Sequence, residues 1–208
     1  MPSSIERLYR RLRFGEAIVV VSGLPRSGTS MLMRMLDAGG LSVVTDGQRT
    51  ADEDNPRGYF EAERIKRLAQ DADRRWLAGA RGKGIKVISY LLRSLPAQFN
   101  YRVVFVRRDI DEVLASQGKM LARRGETDDM PLDKMRELFE KEVARARHVL
   151  AHEPQFEMLE VEYTAVLAHP LQEARRIAGF VGGGLDAEAM AAAVDPGLYR
   201  NRAPARAQ

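Results

Sequence analysis

The sequence predicts a three-layer α/β/α domain built on a central, mostly parallel sheet. Three observations predict it. Short apolar runs that suit buried strands alternate with longer segments of helical periodicity. The strongest run, EAIVVVSG (16–23), is apolar almost throughout, as a strand covered on both faces must be. It passes into a glycine-rich turn, GLPRSGTS (23–30), and then into an apolar helical run, SMLMRML (30–36). At 208 residues, with no repeat and no low-complexity linker, one domain over residues 1–208 is expected.

The elements follow in order. The start, MPSSIERLYRRLRFG, is basic and amphipathic, so a helix is expected within residues 1–14. It lacks the apolar stretch of a secretory leader. After the strand at 16–23, further strands are expected at LSVV (41–44), GIKVIS (84–89), YRVVFVRR (101–108) and FEMLEVEY (156–163). A helix over 61–80 would gather Ile65, Leu68, Ala72 and Trp76 on one face, with Trp76 in the core. A helix over 131–153 would gather Leu132, Met135, Leu138, Phe139, Val143, Ala146 and Leu150, with Pro131 suited to its first turn. PLQEARRIAGFVGGG (170–184) reads as a helix stopped by glycines.

Composition narrows the function. The chain is 45% hydrophobic and 30% charged, as ordinary globular proteins are. No apolar run approaches the length of a membrane span. With no cysteine, disulfide and thiolate chemistry are excluded. The three histidines, His148, His152 and His169, stand far from the glycine-rich turn, so no zinc site and no other metal site is expected. The net charge of +4 is mild, and no aromatic residues interleave with the basic runs, so no nucleic-acid partner is expected. Arg7, Arg10, Arg11 and Arg13, and at the other end Arg200, Arg202 and Arg206, admit two readings. They form a solvated helix face and a basic tail (195–208), or some of them meet an anionic ligand.

The turn carries the chemistry. Between a buried strand and a buried helix, the N–H groups of residues 27–30 and the positive end of the helix dipole favour an anion. Gly28 lets the backbone come close, Thr29 and Ser30 add hydroxyl donors, and Arg26 supplies charge. Gly23 and Gly28 keep the spacing of a phosphate-binding P-loop, but Thr29 stands where the lysine of such a loop belongs. Binding of a phosphate-like anion is therefore expected, and magnesium-dependent nucleotide hydrolysis is not.

LPRSGTS (24–30) resembles the 5′-phosphosulfate loop of sulfotransferases that use 3′-phosphoadenosine 5′-phosphosulfate (PAPS), whose cation also precedes Ser-Gly-Thr. RSGTSMLMRMLDA (26–38) is similar to the loop and helix of the tyrosylprotein branch. VFVRRDIDEVLAS (104–116) resembles the family's 3′-phosphate segment, a strand ending in arginine with serine eight positions on; here these are Arg108 and Ser116. A guanidinium and a helix hydroxyl suit a dianionic phosphate. Asp109 reads as the following helix's cap, with Glu112 completing a capping-box-like pattern. Lys86 matches a strand lysine that in the family touches the transferring sulfuryl group. LEVEYTAVLAHPLQEARRIAGFVG (159–182) looks like the family's late strand, Tyr (here Tyr163), His-Pro turn and helix, so the resemblance spans about residues 17–182.

The resemblance implies a P-loop NTPase-like fold and a cytoplasmic enzyme that uses PAPS as co-substrate without a metal. Arg26, Ser27, Gly28, Thr29, Ser30, Arg108 and Ser116 would bind PAPS, and Arg26 and Lys86 would stabilise the transferring group. The acceptor would be a hydroxyl or amine of a small molecule or glycan. The general base departs from the family's patterns, and two carboxylates are candidates: Glu61, in NPRGYFE (55–61), and Asp46. In that turn Pro56 and Gly58 bend the chain, Arg57 is placed to hold an anion, and Tyr59 and Phe60 to wall a pocket. Asp52, Glu53 and Asp54 read as a solvated acidic turn. The family's glycine- and arginine-rich closing segment is absent. VDPGLYRNR (194–202) is its candidate replacement, with Arg200 or Arg202 reaching the 3′-phosphate. Two other classes remain open: a small-molecule kinase, for which Asp109 is the placed metal ligand, and a non-catalytic adenine-nucleotide-binding module. Acceptor and oligomeric state are not legible.

Overall fold

The computed structural model describes residues 4–46, 60–126 and 130–199. Its centre is a sheet of four strands, β1 (Ile18–Gly23), β2 (Gly84–Lys86), β3 (Tyr101–Arg107) and β4 (Phe156–Glu162). All pairings are parallel and the order is β2-β1-β3-β4. The helices are α1 (Ser4–Phe14), α2 (Thr29–Ala38), α3 (Glu63–Lys66), α4 (Ile110–Arg124), α5 (Leu132–His152), α6 (Tyr163–Ala168), α7 (Pro170–Val181) and α8 (Ala187–Ala192). The expected three-layer architecture is therefore the one observed.

The apolar run of β1 has a direct cause. Ile18 and Val20 enter a core completed by Leu92, Phe105, Leu150 and Phe156. Val19 and Val21 enter a second core on the opposite face, with Leu32, Leu36, Ile177, Phe180 and Met190. A strand buried on both faces leaves no position for a polar residue except its end, where Ser22 and Gly23 stand. The helix α2 is buried at Met31, Leu32, Met33, Met35 and Leu36, as its all-round apolar sequence requires. α7 begins with Pro170 at its first turn and stops at Gly182, whose φ of 77° suits glycine.

Three expectations are corrected. Residues 41–44 form no strand; Val43 makes a single bridge to Gly84. The run at 84–89 stays extended only to Lys86 and then tightens into a 3-10 turn, Ser89–Ser94. The helix over 61–80 is broken into α3 and a 3-10 turn at Arg75–Ala80. Asp71 and Asp73 break it, because their carboxylates accept from the N–H groups of Asp73 and Arg75 and offer the backbone an alternative to helix. Ala72 is consequently exposed, and Trp76 is half-buried with its indole N–H on Asp71 Oδ2 at 3.0 Å. In α5 the core face is narrower than the periodicity suggested: Leu132 and Leu138 are exposed, while Met135, Ala146 and Leu150 are buried.

The basic helix α1 is turned around. Its Ile5, Leu8, Tyr9 and Leu12 face outward, and Arg7 and Arg10 face the protein. Arg10 donates to Asn100 Oδ1 at 3.0 Å, and to the carbonyls of Pro154 and Gln155, both at 2.6 Å. It also reaches the carbonyl of Phe156 and lies near the buried carboxylate of Glu157, which Arg7 and Arg102 approach as well. Arg10 is thus turned into the protein, not into solvent. It ties α1 to the entry of β4. Truncating it strands buried acceptors, so Arg10→Ala should lose about 3 kcal/mol in urea denaturation, while exposed Arg11→Ala should change stability by less than about 0.5 kcal/mol.

Candidate functional site

In a parallel sheet the carboxyl ends of neighbouring strands lie side by side. Pairing of Val21 with Lys86 and of Gly23 with Val106 brings the loop after β1 between Lys86 and Arg108. The chain goes from β1 to β2 on one side and then to β3 on the other, so this loop sits where the strand order reverses, the usual ligand crevice of such sheets.

The loop is held in an unusual backbone path. Arg26 has φ of 68° and Gly28 φ of 108°. Left-handed backbone at a non-glycine costs energy, and it recurs at ligand-holding turns. Gly28 precedes α2 and gives it no side-chain cap, so the first N–H groups of α2 have no acceptor within the helix. A side chain at Gly28 has no room, because a Cβ there would lie 2.5 Å from the ring of Tyr163. Ser27 turns inward: its N–H donates to the Leu24 carbonyl, and its hydroxyl is buried without a hydrogen-bond partner among the described residues. Thr29 is buried, while Ser30 is half-buried.

Two polar constellations flank the loop. On the β3 side, Arg26 Nε donates to Ser116 Oγ at 3.0 Å. Arg108 Nη1 donates to the Arg26 carbonyl at 3.2 Å, and its Nε donates to Glu112 Oε2 at 2.9 Å. The Arg108 guanidinium lies 4.5 Å from the ring centre of Tyr163 and 5.5 Å from that of Tyr199. Asp109 caps α4, accepting from the N–H groups of Asp111 and Glu112. The capping-box expectation for Glu112 is corrected here, since its carboxylate goes to Arg108 and the Tyr199 phenol.

On the β2 side, Lys86 is nearly buried, and its ammonium donates to Ser30 Oγ and to Glu61 Oε1, both at 3.1 Å. The other oxygen of Glu61 meets Lys66 at 3.0 Å. Burial alone would raise the Glu61 pKa. The Lys86 charge and the hydrogen bonds from Lys66 and Lys86 outweigh it and leave the carboxyl below its ordinary range. Asp46 lies beside Glu61 along the backbone, its N–H donating to the Glu61 carbonyl at 3.3 Å. It accepts from the Glu63 N–H at 2.6 Å, at the start of α3, and lines a recess with Glu63, Arg64, Arg67, Gln70 and Asp71. Phe60 packs against the core on the α2 face. Arg57, Tyr59, the acidic residues 52–54, Arg200 and Arg202 lie outside the described residues.

The structure thus brings together Arg26, Ser30, Glu61, Lys86, Arg108 and Ser116, with Asp46 joined to Glu61 through the backbone and its carboxylate turned to the start of α3. Sequence reasoning missed Lys66, Tyr163 and Tyr199 as neighbours of the site. The only signal for Lys66 was a second cation close after Glu61. Tyr163 stood in the sequence only as part of the late-strand resemblance, and Tyr199 only as a member of the segment 194–202, whose arginines carried the reading.

No family model and no curated protein matches the chain. Among solved structures, it is similar to a sulfotransferase domain from the curacin biosynthetic pathway, with a TM-score of 0.55 and 14% identity over 91% of this chain and 92% of that one. It is also similar to a sulfotransferase from Alicyclobacillus acidocaldarius, with a TM-score of 0.52 and 15% identity over 83% of each chain. The chain has the fold of these sulfotransferase structures.

The Glu61 environment predicts a pH-dependent stability difference. Its folded pKa lies below the unfolded value, near 4.5, so its ion pairs stabilise the fold above that value. The contribution disappears as pH falls through the lowered pKa. Glu61→Gln should therefore melt at a lower temperature than the unaltered chain at pH 7, and the gap should close on acidification below 4.5. Thermal melts across that range read this directly.

Proposed function

We propose that this chain transfers a sulfuryl group from PAPS to a hydroxyl or amine of a small-molecule or glycan acceptor. The observation that carries the reading is the position of Lys86. The loop has Thr29 in place of a lysine, and an ammonium from the neighbouring strand reaches the first turn of α2 at Ser30 Oγ, 3.1 Å away. The loop therefore lacks the cation of a nucleotide hydrolase and has one beside it, where a group on a 5′-phosphate would lie.

On this reading the adenosine 3′-phosphate meets Arg108 and Ser116, and the 5′-phosphosulfate meets the N–H groups of the loop, Thr29 and Ser30. The acceptor oxygen or nitrogen attacks sulfur in line. The bond from sulfur to the bridging oxygen breaks, and adenosine 3′,5′-bisphosphate (PAP) leaves with the electron pair. Arg26 and Lys86 offset the charge that grows on the bridging oxygen. The acceptor proton passes to Glu61, which is held as a carboxylate and is therefore an acceptor from the outset. Its two ammonium partners make it a weak base at rest. When Lys86 turns to the sulfuryl oxygens, Glu61 loses one of them and becomes more basic. Asp46, committed to the start of α3, is the poorer candidate for that role.

Two experiments test the reading. In titration calorimetry PAP should bind without Mg²⁺ and more tightly than ATP, and Arg108→Ala should weaken PAP by at least about tenfold. ATP binding that requires Mg²⁺, with no affinity for PAP, would sink the proposal in favour of a kinase. In a screen of acceptors with labelled PAPS, Glu61→Gln should lower turnover by about 10²-fold or more while leaving PAP affinity unchanged. Full turnover in that variant removes Glu61 as the base.

A further inference from the structure

We propose that Tyr199 is a positioning residue for Arg108, fixing its guanidinium for the nucleotide's 3′-phosphate by way of Glu112. The inference rests on the reading of Arg108 as the 3′-phosphate ligand. It names a residue, 87 positions from Glu112 in sequence, on which that ligand would depend.

The geometry is a chain of contacts that runs from Tyr199 through Glu112 to Arg108. The side chains of Arg108 and Glu112 are 7% and 3% exposed, so neither charge is screened by much water. Glu112 has two acceptor oxygens and divides them: Oε2 takes Arg108 Nε at 2.9 Å, and Oε1 takes the Tyr199 phenol. Arg108 is also faced by two rings, Tyr163 and Tyr199, which meet edge to face with centres 5.5 Å apart. Its Nη1 runs on to the Arg26 carbonyl, in the loop itself. A guanidinium fixed along its Nε edge and against two rings has little rotational freedom left, so less is lost when it meets an anion.

Tyr199 is suited to be the fixed end of this chain of contacts. Burial, and then the Glu112 carboxylate, push its phenol up to about 12, so it remains a donor across the neutral range. It stands beyond the turn Pro196–Leu198, which Asp195 stabilises by accepting from the Gly197 N–H at 2.9 Å. Without the phenol, Glu112 loses one of its constraints, and the orientation of Arg108 loosens with it.

A positioning role and a structural one differ in which ligand they affect. The test is titration of the full chain with PAP and with adenosine 5′-monophosphate, which lacks the 3′-phosphate. Tyr199→Phe keeps the ring and loses the phenol. It should weaken PAP about fivefold and leave the monophosphate within about twofold, since a hydrogen bond to a buried carboxylate is of that order or more. Tyr199→Ala, which also removes the ring over Arg108, should weaken PAP further with the same selectivity. Unchanged PAP affinity in both variants, or equal weakening of both ligands, overturns the proposal. If the unaltered chain binds PAP no more tightly than the monophosphate, it is the reading of Arg108 that fails.

Discussion

The strand β1 has no free face and no free edge, and the chain leaves it through a glycine with no room for a side chain. A Cβ on Gly23 would lie 2.6 Å from the Ser27 hydroxyl and 2.7 Å from the Val106 carbonyl. That close approach locks the loop against the end of β3. Everything at the site follows from it. Arg108 stands two residues beyond Val106, close enough for its guanidinium to hold the Arg26 carbonyl. Lys86 pairs with Val21 on the other side, so its ammonium comes to the first turn of α2. The spacing between the cations is thus a property of strand pairing. No flexible loop has to find it.

The two flanks differ in how tightly their cations are held. Arg108 is caged by Glu112, two tyrosine rings and a backbone carbonyl, contacts that fix one orientation. Lys86 is shared between a hydroxyl and a carboxylate, and that carboxylate has a second ammonium in Lys66. Removing Lys86 from Glu61 therefore does not leave a buried charge unpaired, which is the costly event in a dry site. A caged cation suits a group that is bound and released intact. On the proposed reading, a shared cation suits a group whose charge moves during transfer.

Much of this was legible in the sequence. The apolar run of β1, the glycine spacing and the apolar α2 marked the loop, and the resemblance of residues 104–116 to a family segment pointed to Arg108 and Ser116, which the fold places against Arg26. What the sequence concealed were choices made by side chains between competing partners. Asp71 and Asp73 look like solvated positions of an amphipathic helix until their carboxylates are seen to take backbone N–H groups and break it. Arg10 looks like a solvent-facing cation because the acceptors it satisfies, at 154–156, belong to a distant strand entry. Glu112 satisfies a capping pattern on spacing alone, yet a buried arginine beside it is the stronger partner. In each case local pattern and tertiary demand competed, and only the first is written in the order of residues.

The absent loop lysine acquires a physical reason on the proposed reading. A terminal phosphoryl group carries about two negative charges, and a sulfuryl group linked to a phosphate carries one. Transfer of the second needs less countercharge at the oxygens, so a divalent ion with its carboxylate ligands is not called for. What it needs is a cation near the bridging oxygen and one near the transferring group, each free of the other. A lysine at position 29 would crowd both tasks into the start of α2. Arg26 within the loop and Lys86 on the adjacent strand separate them, and Ser116 and Ser30 are the hydroxyls that hold each in reserve. Threonine at position 29 is then the small, buried residue that lets α2 begin directly under the anion.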